Sequence, residues 1–140
     1  MAPADPADRE TLAARYQRSR AVTEDLAGHL APEDQVPQSM PDASPTKWHR
    51  AHTTWFFDTF LLQPHLPGYS PSNPTYGYLF NSYYEAVGSR HPRPQRGLVT
   101  RPTVSEVTDY RRTVDDSMAR LIESADAQQW KTIAPLIELG

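Results

Sequence analysis

The sequence predicts an all-α fold: a four-helix bundle that is incomplete, with three helices and the start of a fourth, carrying one long proline- and aromatic-rich loop. Three observations predict it. Apolar residues recur at three- and four-residue spacing in three separate segments, the period of one helical face. A fourth such pattern opens at Trp130 and does not complete before Gly140. Proline, at 14 of 140 residues, is about twice its usual ~5% share, and it clusters between the second and third periodic segments. A length of 140 residues suits one domain. Residues 1–140 are therefore read as a single domain, cut at its C-terminus inside the fourth helix.

The first helix is expected from about Ala7 to Leu30, with Leu12, Tyr16, Ser19, Thr23, Leu26 and Leu30 on one face. Ser19 and Thr23 keep the middle of that face small, so a neighbouring helix can approach closely. Gly28 and Pro32 stop it. A polar connection with three prolines follows, Ala31 to Ala43. Ser44 is the expected N-cap of the second helix, with Pro45 at the first helical position, where its missing N–H costs nothing. That helix is expected from Thr46 to about Leu62, with Pro64 barring its continuation. Residues 63–101 form the long loop, in which Tyr76–Val87 is the one helical candidate. The aromatics from Tyr69 to Tyr84 argue for an ordered loop that builds part of a site. Thr103 and Glu106 form a capping-box pattern at the head of the third helix. Its apolar stripe runs through Val104, Val107, Val114, Met118, Leu121 and Ile122. Asp126 caps the last segment, whose pattern holds Trp130, Ile133, Leu136, Ile137 and Leu139.

Composition excludes several functions. A net charge of −3 argues against binding nucleic acid by phosphate neutralisation. With no cysteine there is no disulfide, thiolate metal site or cysteine nucleophile. No apolar run approaches the ~20 residues that span a bilayer, and Met1 to Arg9 lacks the apolar core of a secretory signal. The expectation is a cytoplasmic chain without membrane or nucleic-acid partners.

Two features carry possible chemistry. Projected at about 100° per residue, Trp48, Trp55, Phe56 and Thr59 surround His52 on the second helix. Lys47, Arg50, Thr54 and Asp58 fall on the opposite side, and His49 lies toward the edge of the stripe. An imidazole there must satisfy both ring nitrogens, either by ligating a metal through one and hydrogen-bonding through the other, or by two ordinary hydrogen bonds. Both readings stand on spacing alone. His29 reads as a helix C-terminal cation, and His65 and His91 as solvated loop positions. No His-x3-His motif or carboxylate cluster occurs, so the chain alone does not assemble a three-ligand metal site. The second feature is a run from Ser89 to Val104 with Arg90, Arg93, Arg96, Arg101 and His91 and no acidic residue. It reads either as a solvated basic loop or as an arginine-lined pocket for a small anion, walled by the aromatics from Tyr69 to Tyr84. A glycine-rich phosphate loop and a Gly-x-Ser-x-Gly nucleophile motif are both absent.

The stretch Gln38-Ser-Met-Pro-Asp-Ala-Ser-Pro-Thr-Lys-Trp-His-Arg-Ala-His-Thr-Thr-Trp-Phe-Phe-Asp58 resembles the opening of the DinB-like domain of the ergothioneine-biosynthesis sulfoxide synthases (hercynine oxygenases). Tyr78-Leu-Phe-Asn-Ser-Tyr-Tyr-Glu-Ala-Val-Gly-Ser-Arg-His-Pro-Arg-Pro94 is similar to their next distinctive block, and Ile133-Ala-Pro-Leu-Ile-Glu-Leu-Gly140 to the lead-in of their fourth helix. The resemblance runs from about Tyr16 onward. It implies a DinB-like bundle within a non-haem iron(II) enzyme that uses O2 to join γ-glutamylcysteine to hercynine. It implies three histidine ligands for Fe(II), of which one maps onto His52 and two belong to a His-x3-His motif expected just past Gly140. It also implies carboxylate recognition by Arg90 and Arg93, and a catalytic tyrosine in a C-terminal domain, leaving no catalytic residue within this chain. Two positions depart from the family pattern: Arg50, where an apolar residue is usual, and Asp58, where Glu is usual. Both project away from His52. Two other readings compete, a different DinB-like metal-dependent thiol transferase and a helical binding module without a metal. The Tyr78–Tyr84 block favours the first reading, and the unfinished pattern after Trp130 speaks against the last.

Overall fold

A computed structural model describes residues 6–82 and 88–140, and the periodic segments are helices in it. They are α1 (Pro6–Ala27), α2 (Thr46–Phe57), α3 (Gln63–His65), α4 (Tyr76–Phe80), α5 (Val104–Ser124) and α6 (Ala127–Leu139). A π turn, Asp58–Leu62, joins α2 to α3, and 3-10 turns lie at Pro32–Gln35 and Arg93–Leu98. Among the described residues no strand forms, so the fold is all-α, and no helix is long and apolar enough to cross a membrane.

Local chemistry accounts for most boundaries. α1 ends one residue before Gly28, and His29 lies exposed beyond its last turn. Thr103 Oγ1 accepts the Glu106 N–H at 3.1 Å while the Glu106 carboxylate accepts the Thr103 N–H at 3.2 Å, so the capping box forms as read. The Asp126 carboxylate caps α6 by accepting the Gln129 N–H at 2.8 Å. Two boundaries differ from expectation. Pro45, in extended conformation, is the N-cap of α2, while the Ser44 hydroxyl accepts from Arg96 Nη1 at 2.8 Å. Nor does the second helix stop near Leu62. The Gln63 N–H bonds to the Asp58 carbonyl across the wide π turn, and the helix runs on to His65 through Pro64, which brings no N–H of its own. In the long loop α4 ends at Phe80 because Asn81 is extended (φ −70°, ψ 139°). Tyr83 to Val87, the rest of the helix expected over Tyr76–Val87, lie outside the described residues.

α2 packs against α5, α4 and α1, and α6 closes on α1 and the π turn. The core gathers Trp55, Leu61, Phe80, Val114, Met118 and Trp130, each no more than 1% exposed. On α1 the inward face is not the predicted stripe. Tyr16, Arg20 and Ala27 are buried, Ser19 is exposed and Leu26 is 70% exposed. The rotation follows from Arg20, whose Nε donates to Asp115 at 2.8 Å and whose Nη2 donates to Thr54 Oγ1 at 2.6 Å.

The side of α2 opposite His52 is also buried. Lys47, Arg50, Thr54 and Asp58 are each at most 4% exposed. Arg50 reaches Glu24 through Nε (3.0 Å) and Nη2 (2.8 Å), and Gln35 through Nη1 (3.1 Å). Arg111 pairs with Glu24 at 2.5 Å and donates to the Arg50 carbonyl at 2.9 Å. Burial, with Arg20 nearby, brings the Arg111 guanidinium down to about 10. Burial opposes ionisation of Glu24, but its hydrogen bonds to Arg50 and the charge of Arg111 hold its carboxyl below the usual range. Lys47 Nζ donates to the Val99 carbonyl at 2.8 Å, tying α2 to the end of the long loop. The Asp58 carboxylate accepts from Tyr69 and Tyr110, both at 2.6 Å, and from Gln63 Nε2 at 3.2 Å. Burial first, and then this carboxylate, pushes both phenols well above their ordinary values.

Asp58→Ala strips the buried Tyr110 phenol and the half-buried Tyr69 phenol of their acceptor. At roughly 1–3 kcal/mol per unsatisfied buried group, it is expected to lower the unfolding free energy by about 3 kcal/mol. Urea denaturation followed by circular dichroism measures this, and an unchanged midpoint would show that the Asp58 network contributes nothing.

Candidate functional site

A helix of five residues such as α4 leaves its last carbonyls without intrahelical donors. Three donors from elsewhere meet them. The His91 N–H bonds to the Tyr78 carbonyl at 3.0 Å, the Trp48 indole N–H to Leu79 at 2.8 Å, and His52 Nδ1 to Phe80 at 2.6 Å. The end of α4 is thereby fastened to α2 and to the arginine-rich part of the loop.

The contact with Phe80 settles the tautomer of His52. A carbonyl oxygen only accepts, so Nδ1 carries the proton and the neutral ring keeps its lone pair on Nε2. Metal-ligating histidines are commonly oriented in this way. The imidazole stacks on Trp48, with centroids 4.7 Å apart and planes 11° apart, and on Trp55 at 5.7 Å and 16°. Burial pushes its pKa down, the Phe80 carbonyl pushes it up, and the charges of Arg96 and His49 push it down again. The net shift is downward. His49, on the exposed side of α2, is also lowered, by partial desolvation first and then by Arg96 and Arg93, against the Ser44 backbone. Both rings are therefore neutral at pH 7.

The predicted arginines separate. Arg90 is exposed and its Nη1 donates to the Ser82 carbonyl. Arg93 is half-buried at the head of the 3-10 turn, and its carbonyl accepts from Gln38 Nε2 at 2.7 Å. Arg96 is the one driven inside. It is 3% exposed, and its guanidinium carbon sits 3.6 Å from the Trp48 ring centroid. Such a contact is worth roughly 0.5–2 kcal/mol as burial increases. Gln38 clamps the turn a second time, its Oε1 accepting the Gly97 N–H at 2.6 Å. A Cβ on Gly97 would meet Gln38 Cβ at 2.8 Å, so the fit requires glycine. The structure thus brings His49, His52, Trp48, Trp55, Arg93 and Arg96 to one region, with Arg90 turned toward Ser82.

The expected aromatic wall of an anion pocket does not form from Tyr69 and Tyr76. Tyr69 bonds to Asp58, and Tyr76 is buried against Phe80 and Tyr110. The buried Asp58 carboxylate and the core claim both rings. Tyr78 stays 42% exposed and meets the half-buried His91 edge-on at 5.7 Å, so His91 is not simply solvated. Tyr83 and Tyr84 lie outside the described residues. A cavity of about 660 Å3 between α1 and α5, lined by Tyr16, Arg20, Asp115 and Ile122 among others, contains none of the His52 cluster.

His52 suits one position on a metal. Among the described residues no group of three or more His, Cys, Asp and Glu side chains is placed to hold an ion. Sequence reasoning missed the Phe80 carbonyl, which is backbone and leaves no residue-type signal. It also missed Trp48 and Ser44 as partners of Arg96, and Gln38 as the clamp on the turn that carries it. Arg96 was visible in the basic run but not distinguishable from its neighbours.

A family model described as the DinB superfamily matches residues 15–138. No curated protein matches the chain.

Because both histidines have folded-state pKa values below the usual 6.5, the unfolded chain binds more protons as pH falls past that value. Their contribution to stability is present above pH 6.5 and is lost as pH drops through the lower folded values. The melting temperature is expected to fall between pH 7.5 and 5.5, and to fall less in His52→Gln. Differential scanning calorimetry across that range checks both the sign and the attenuation.

Proposed function

This chain belongs to the DinB superfamily, and we propose that within it the chain is the N-terminal part of a non-haem iron(II)-dependent sulfoxide synthase that joins γ-glutamylcysteine to hercynine with O2. The observation that carries this reading is His52, held at Nδ1 by the Phe80 carbonyl and neutral, with Nε2 left as a ligand atom. The sequence blocks around Trp48–Asp58 and Tyr78–Pro94 support the same assignment through their resemblance to hercynine oxygenases.

Each residue then has a task. His52 supplies one imidazole of three, the other two coming from a His-x3-His motif outside this chain. Neutral imidazoles suit iron(II) and leave positions open on it. Iron(II), when bound, supplies coordination of the thiolate and activation of O2. Trp48 and Trp55 flank the imidazole and keep water from its faces. Arg90 and Arg93 hold the carboxylates of the γ-glutamyl thiol, for which a planar guanidinium fork is well shaped. The catalytic tyrosine that the resemblance implies belongs to a C-terminal domain of that family and is not among these residues.

The test is an aerobic assay of the complete polypeptide with Fe(II), hercynine and γ-glutamylcysteine, following the sulfoxide by mass spectrometry. We expect turnover in the wild type, and a loss of at least 100-fold in His52→Ala together with weaker iron binding. The 140-residue chain by itself, with one imidazole of the three, is expected to be inactive. Metal-dependent thiol transfer to another acceptor would point instead to a different DinB-like transferase. Neither metal binding nor turnover would leave a helical binding module.

A further inference from the structure

Arg90 and Arg93 are the arginines that the resemblance singles out, yet the arginine buried against the His52 cluster is Arg96. Its guanidinium lies 3.6 Å from the centroid of Trp48, and Trp48 is the ring on which His52 stacks. Nη1 is held by Ser44 Oγ, immediately before the N-cap of α2. Arg96 sits three residues after Arg93 in the same 3-10 turn, so one turn of backbone separates the side chain on Trp48 from the one assigned to substrate. Gln38 grips that turn at both ends, through the Arg93 carbonyl and the Gly97 N–H. His52 is held separately by Phe80. The turn and the imidazole are thus fixed by different contacts, and Trp48 touches both.

We propose that Arg96 is a positioning residue for carboxylate recognition: by docking on Trp48 it sets the place of the Arg93-bearing turn relative to His52. This rests on the functional reading above, in which Arg90 and Arg93 take the substrate carboxylates. The field of the cluster is consistent with it, since the charge of Arg96 acts on both His49 and His52 and that of Arg93 acts on His49. Arg96 itself touches no substrate. Its loss lets the turn drift and weakens carboxylate binding, while the imidazole stays where Phe80 holds it.

The experiment uses two variants that disturb the turn by different routes. Arg96→Met removes the guanidinium from Trp48. Gly97→Ala leaves Arg96 intact but drives a Cβ into Gln38. In the complete enzyme each is expected to raise KM for γ-glutamylcysteine about tenfold, with kcat, the KM for hercynine and iron(II) affinity within twofold of wild type. Arg96→Lys, which keeps a cation on the indole, is expected to recover part of the affinity. A readout free of turnover comes from calorimetric titration of the complete protein with glutarate, a dicarboxylate probe, where both variants are expected to bind about tenfold more weakly while remaining folded by circular dichroism. If the enzyme makes no sulfoxide but the glutarate pattern holds, the reaction assignment fails and the role of Arg96 stands. Wild-type glutarate affinity in both variants would overturn the proposal, as would no glutarate binding by the wild type. A parallel loss of melting temperature, iron affinity and kcat would also overturn it, reducing Arg96 to a structural contact.

Discussion

The second helix has almost no solvent face, and that constraint organises the rest of the molecule. Along Thr46–Phe57 only His49 and Thr53 are exposed, so every other polar group on the helix must find a partner inside the protein or cost roughly 1–3 kcal/mol. Arg50 and Thr54 find theirs in α1 and α5. Trp48 and His52 find theirs in the free carbonyls of α4, and Lys47 in the carbonyl of Val99. A long loop rich in proline is held to the bundle because the helix beneath it has donors to place. The loop in turn brings the arginine-rich turn onto Trp48. Site and scaffold are one network of satisfied donors.

Electrostatics sharpen the arrangement. Arg20, Arg50 and Arg111 converge between α1, α2 and α5 on two carboxylates, Glu24 and Asp115. The carboxylates keep side-chain exposures of 42% and 36%, so the network is closed on its cationic side and wet on its anionic side, which limits the desolvation cost of burying charge. Around His52 the balance is different. Its near neighbours are arginines and aromatic rings, and burial together with positive charge keeps the imidazole neutral. A neutral ring with a fixed proton is the form that can donate a lone pair, so the groups that deny His52 a charge also prepare it as a ligand.

Much of the fold was legible because its signals are local. The Thr103–Glu106 box, the Asp126 cap, the glycine and proline after α1 and the stripe of α5 are each set within a few residues, and each appears where spacing placed it. The errors share a cause. The face of α1 and the fate of Tyr69 and Tyr76 are read on the rule that charged residues stay out of the interior. Arg20, Arg50 and Asp58 break that rule by burying in pairs, and a partner 95 or 52 positions away in sequence (Asp115 for Arg20, Tyr110 for Asp58) leaves no periodic trace.

The sequence by itself determined the helical class, the order of the helices, the aromatic setting of His52 and a basic run without acids. These depend on residue type and short spacing, which act before the chain has folded. Only the tertiary structure decided which nitrogen of His52 carries the proton, which arginine meets the tryptophan, and that the charged side of α2 is interior. Those outcomes depend on a carbonyl at the end of α4, on a glycine-tight turn against Gln38, and on carboxylates from other helices. Long-range packing brings such groups together, and the pairing of donors with acceptors across it is what a linear pattern does not encode.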